Sequence, residues 1–195
     1  AAELSRDFSW LRVRLSALLQ SGDGDPFDDR ATGFDAILEN PQFAGADTSY
    51  WIRQSVPFIG GGRAIGITGR NGLLNSLRSS KEQGQSNFTN PGTILLGAGA
   101  DFDITPTFRL STNANHLWFE NTAVLQTLRS EGSIPKSIGW DLSAAAIWRP
   151  KANQNLVFRL SGAVLAPGGG FKDLFTNQRR DSAYYSVLFN AILAY

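Results

Sequence analysis

A chain of 195 residues with 42% apolar and 11% aromatic side chains suits one packed domain and is too hydrophobic for a disordered one. Charged residues reach only 18%, below the roughly 25% of soluble domains, and a net charge of +1 lacks the basic excess of a nucleic-acid binder. Cysteine is absent, which excludes disulfides and thiolate metal centres.

Methionine is absent too, and the start at Ala1-Ala2-Glu3 fits a processed product or an excised fragment. Apolar runs such as Ile94-Leu95-Leu96 are only a few residues long. None approaches the roughly 18 to 20 residues of a spanning helix, so a membrane location would require a β-barrel.

Period-two alternation begins near the front of the chain. Over 6–20, Leu11, Val13, Leu15, Ala17 and Leu19 oppose Arg12, Arg14, Ser16 and Gln20, the pattern of a strand with one greasy and one polar face. Segments 49–59 and 63–70 alternate less well, with Pro57 intruding and Gly60-Gly61-Gly62 between them. From 93 to 104, Ile94, Leu96, Ala98, Ala100, Phe102 and Ile104 share a face opposite Leu95, Gly97, Gly99, Asp101 and Asp103. A turn at Thr105-Pro106-Thr107 leads into 107–119, where Phe108, Leu110, Thr112, Ala114, His116 and Trp118 oppose Arg109, Ser111, Asn113, Asn115 and Leu117.

The pattern returns over 138–149, with Trp140, Leu142, Ala144, Ala146 and Trp148 against Asp141, Ser143, Ala145 and Arg149. It continues over 154–165, where Leu156, Phe158, Leu160 and Val164 oppose Arg159, Ser161 and Ala163. The last segment, 182–195, carries Tyr185, Val187, Phe189, Ala191, Leu193 and Tyr195 on one face. Short helical patterns occur at Leu73–Gln83 and Ala123–Arg129.

A soluble antiparallel sandwich alternates in the same way. Segments of 11 to 13 residues exceed the usual 5 or 6, however, and match a tilted membrane strand of about 9 to 11. Short turns (105–107, 150–154) alternate with long loops (120–137, 166–181), and aromatics mark the strand ends at Trp10, Phe108, Trp118, Trp140, Trp148 and Tyr195. Trp10 alone has the parity of the polar face. The expected architecture is therefore an all-β, antiparallel transmembrane barrel over 1–195, with about eight strands and both termini at the periplasmic end. The small polar-face residues Gly97, Gly99, Ser111, Ser143, Ala145, Ser161 and Ala163 suggest a spacious lumen, hence part of a larger barrel.

The loop Ser21-Gly-Asp-Gly-Asp-Pro-Phe-Asp-Asp-Arg-Ala-Thr-Gly-Phe-Asp35, and the stretch from Leu77 to Gly92, resemble segments of alginate-export-type outer-membrane porins and their relatives. The resemblance implies the C-terminal portion of a longer barrel that passes a solute without catalysis. Membrane lipid, lipopolysaccharide and possible partner strands would surround it in a bacterial outer membrane.

Three groups are candidate sites. Asp23, Asp25, Asp28 and Asp29, with Asp35 near them, are hard oxygen ligands suited to calcium, or else a solvated polar turn. Arg12, Arg14, Arg53, Arg109, Arg149 and Arg159 share the polar parity with Asp101, Asp103 and Asp141. They read either as paired braces in the wall, through contacts such as Arg109 and Arg159 with Asp101 and Asp141, or as an anion-attracting lining. His116 is the sole histidine, on the apolar parity with no serine beside it, and reads as a rim residue rather than a catalytic base. The function expected is an outer-membrane channel for a small or polymeric anionic solute, the alternative being a structural barrel that anchors loops or a partner complex.

Overall fold

Alternating apolar and polar residues dictate extended strands, and the computed structural model describes residues 1–30, 32–34, 43–45, 48–53, 55–57, 64–66, 91–150, 155–174 and 182–193. Among these described residues nine strands form: β1 (Ala2–Phe8), β2 (Leu11–Gln20), β3 (Ser55–Pro57), β4 (Ala64–Gly66), β5 (Thr93–Thr105), β6 (Phe108–Trp118), β7 (Ser137–Trp148), β8 (Leu156–Pro167) and β9 (Tyr184–Leu193). Three short helices lie in the connections: α1 (Tyr50–Arg53), α2 (Ala123–Arg129) and α3 (Gly169–Asp173).

Seven strands make one antiparallel sheet in the order β1-β2-β5-β6-β7-β8-β9, while β3 and β4 pair only with each other. The expected count of eight is thus corrected. Segment 6–20 is a hairpin rather than one strand, because the chain reverses at Ser9-Trp10, with Ser9 in the left-handed region at φ 59°. Among their described residues, segment 49–59 holds the helical turn α1 and three strand residues, and 63–70 holds only Ala64–Gly66. The sheet is open, with β1 and β9 as its edges. Strand direction also corrects the placing of the termini: β1 starts at the end where Ala2 meets Ala17, whereas β9 finishes at the opposite end, where Leu193 meets Leu156.

The connections divide sharply between the two ends. Turns 9–10, 106–107 and 149–155 lie at one end; the long connections 21–92, 119–136 and 168–183 leave and return at the other. Of the two helical patterns read from sequence, Ala123–Arg129 is α2, and Leu73–Gln83 lies outside the described residues.

The faces of the sheet are inverted relative to a soluble protein. Along β7 the polar-parity residues Asp141, Ser143 and Ala145 are at most 7% exposed, whereas Trp140, Leu142 and Trp148 are about half exposed. The same apolar exposure holds for Leu15 and Leu19 on β2, Leu96 on β5, Leu160 on β8 and Val187 on β9. The core lies on the polar-parity side at the long-connection end, where Leu18, Leu95, Leu117 and Leu165 sit beneath Trp51, Phe119 and Phe171. A β-bulge feeds it: the register shifts between Leu117 and Trp118, and Gly139 at φ 133° lets Ile138 turn inward although its parity is outward.

Candidate functional site

The inner face is graded along the strands. At the long-connection end it carries the leucines of the core, in its middle small and amide side chains, and toward the short turns its charges. The charges are organised by cross-strand register. Arg14 on β2 pairs with Asp101 on β5, and its Nη2 also donates to Asn113 Oδ1 at 2.8 Å. Ser111 Oγ donates to the other Asp101 oxygen at 2.6 Å. Arg109 holds Asp103 with two bonds, 2.6 and 2.8 Å, in a half-exposed pair. Arg12 holds Asp7 of β1 in the same forked way at 2.5 and 3.1 Å, exposed to solvent.

Gly97 and Gly99 do not leave open space. A methyl group on Gly99 would lie 2.8 Å from the Arg14 guanidinium and collide with the Asn113 amide, so the glycine makes room for both. The small inner residues Ser143, Ala145, Ser161 and Ala163 are likewise buried. Where the sequence suggested a spacious lumen, these positions are filled.

Much of the filling comes from residues 43–45 and 48–51 of the connection between β2 and β5, which the sequence alone did not place. Asp141, fully buried on β7, accepts the backbone N–H groups of Tyr50 at 3.1 Å and Trp51 at 2.8 Å. It thereby caps the first turn of α1 and fixes the Trp51 ring in the core. Trp51 Nε1 donates to the Ala44 carbonyl at 3.4 Å, and Asn115 Nδ2 donates to the same oxygen at 2.9 Å. Glu3 of β1 accepts from Ala44 N and Ser16 Oγ, and Arg159 of β8 donates to Thr48 Oγ1. Gly45, at φ 90°, passes so close to Asn113 that a side chain there would lie 2.9 Å from its amide carbon. Burial pushes the Tyr50 phenol up to about 12, with Tyr184 and Asp141 nearby adding to the effect.

Beneath this segment lies a cavity of about 230 Å³, lined by Glu3, Arg14, Asp101, Arg109, Ser111, Ile147 and Arg159. These residues come from six consecutive strands of the sheet. That six neighbouring strands line one cavity, with Glu3 of β1 and Arg159 of β8 both holding the one short segment at Ala44 and Thr48, fits a sheet curled with its charged face concave and its apolar face convex.

The sequence-derived bracing of Arg109 and Arg159 through Asp101 and Asp141 is replaced by different partners: Asp103 for Arg109, Thr48 for Arg159, and backbone N–H groups for Asp141. Arg149 follows β7 at the short-turn end, where its N–H donates to the Thr107 carbonyl. The side chain of Arg53, Asp35 and Tyr195 lie outside the described residues.

The acidic loop after β2 is locally satisfied. Asp23 is buried and accepts from Thr32 Oγ1 at 3.3 Å; Asp25 accepts from Phe27 N at 3.1 Å and Asp28 from Arg30 N at 2.8 Å. Among the described residues, no three acidic or histidine side chains converge on one point. On the convex face, His116 packs against Trp118 and Trp140, with ring centroids 4.0 and 4.7 Å away. A second aromatic group, Trp148, Phe158 and Phe189, stacks near the short turns at 5.6 and 6.1 Å. Trp140 and Trp148 are eight residues apart on β7, roughly 27 Å along the strand.

Comparison with protein-family models, with curated proteins and with solved structures yields no match to this chain.

Proposed function

We propose that this chain forms part of the wall of a bacterial outer-membrane β-barrel channel, its convex face against lipid and lipopolysaccharide and its charged concave face toward a passage for an anionic solute. The observation that carries the reading is the inversion of the sheet. Its exposed face is dominated by Leu, Val, Phe and Trp, with Arg6 over the Phe8 ring at its β1 margin, and the paired arginines and aspartates lie on the other face. A water-facing convex surface of that kind far exceeds the apolar patches soluble proteins expose, whereas hydrocarbon is its natural solvent. Two aromatic groups at opposite ends of the face, and long connections at one end only, add support. The alginate-export-like loop after β2 points the same way.

The passage would be narrow, because residues 43–45 and 48–51 occupy the middle of the concave face. The test is conductance of protein extracted from outer membranes in the assembly it holds there, reconstituted in a planar bilayer. Anion-selective current is expected, weakening as salt rises. Arg109→Ser together with Arg159→Ser should move the reversal potential toward cations. The burial of Trp51 and Asp141 favours a second reading, a wall that anchors surface loops rather than conducting; absence of current from such material would select it.

A further inference from the structure

The two edges of the sheet run in the same direction. β1 and β9 both start at the long-connection end and finish at the short-turn end, because seven alternating strands return to the direction in which they began. An antiparallel closure between edges that run the same way takes an odd number of intervening strands, so β1 cannot simply pair with β9.

Nor do the seven described strands of a second copy offer an antiparallel neighbour. With all long connections on one side of the membrane, β1 or β9 of a second copy would meet either edge parallel. Its oppositely directed strands β2, β6 and β8 are each flanked on both sides already. Within hydrocarbon an edge left without backbone partners is untenable, and bacterial barrels from single chains close antiparallel with even strand numbers.

We propose, building on the membrane-wall reading, that the sheet is completed by an odd number of further strands beyond the seven described, the one beside β9 running from the short-turn end upward. Its chemistry follows from its neighbour. It carries apolar residues beside Tyr185, Val187, Phe189 and Leu193, which are 61 to 80% exposed on the convex face, and small or polar ones beside Asn190 on the inner face.

The absence of native cysteine makes the test clean. In protein kept in its outer membrane, Leu4→Cys is combined in turn with Tyr185→Cys, Val187→Cys, Phe189→Cys and Ala191→Cys, then oxidised. Leu4→Cys with Leu15→Cys, a registered pair across β1 and β2, is the positive control. A disulfide requires Cα atoms within about 7 Å, which only directly adjacent strands reach. The control should link, the edge pairs should not, and β9 amides should exchange slowly in the same membranes. A link within one chain would mean closure by a parallel seam, and a link between chains a ring of copies. Either result overturns the inference while leaving the membrane wall intact. Fast exchange along β9 with the convex face open to aqueous labels would overturn both.

Discussion

The two halves of the concave face do the same job by different chemistry. Toward the long connections, Leu18, Leu95, Leu117, Ile138 and Leu165 are closed over by Trp51, Phe119 and Phe171, so that half behaves as a small hydrophobic core. Toward the short turns, Arg14, Asp101, Arg109 and Asp103 hold the wall by cross-strand ion pairs around a cavity. The difference teaches that one alternation in sequence can encode two interiors. The polar parity merely marks what faces inward, and what covers each position decides whether leucine or arginine belongs there.

That contrast sets the expected ranking of effects. Trp51→Ala should be the most damaging, since removing a fully buried tryptophan costs about 3 to 5 kcal/mol. The loss should appear first as proteolysis and amide exchange around residues 43–53, with β5 to β8 persisting. Asp101→Ala comes next: it strands the largely buried Arg14 guanidinium, costing about 3 kcal/mol, and Arg14→Met in the same chain should recover much of that. A thermal-melt series of the three variants checks both points. Asp7→Ala breaks an equally well-formed fork, but in full solvent, and should leave the melting temperature unchanged. Equal effects of Asp7→Ala and Asp101→Ala would erase the distinction between an exposed edge and a buried brace.

Much of this sheet was legible in the sequence. Strands β5 to β9 lie within two or three residues of the alternating segments at 93–104, 107–119, 138–149, 154–165 and 182–195, because side-chain parity is a direct readout of a pleated strand. The β1–β2 turn escaped because Ser9-Trp10 carries none of the usual Gly, Pro or Asn. Its trace was present all the same: Trp10 breaks the parity of the strand it seemed to share. Tyr50–Arg53 was misread as extended because a single helical turn offers too few residues to display a 3.6-residue period.

The candidate site was legible in part. Parity alone put Arg14, Arg109, Arg159, Asp101, Asp103 and Asp141 on one face. Their partners depend on register and curvature, which no local pattern encodes. The bond from Trp51 N to Asp141 spans 90 residues; an aspartate whose cross-strand neighbours are Asn115 and Leu165 rather than an arginine is its signal, and that signal exists only once the sheet is assembled.

The claim beneath all of this is that the convex face meets lipid. Single cysteines at positions 141 to 148 of β7, spin-labelled in the membrane-resident protein, test it by comparing relaxation by oxygen, which concentrates in hydrocarbon, with relaxation by a water-soluble nickel chelate. The account predicts a period of two, with oxygen dominating at 142, 144 and 146 and both quenchers weak at 143 and 145. Strong relaxation by the nickel chelate at 142, 144 and 146 would place that face in water and contradict it.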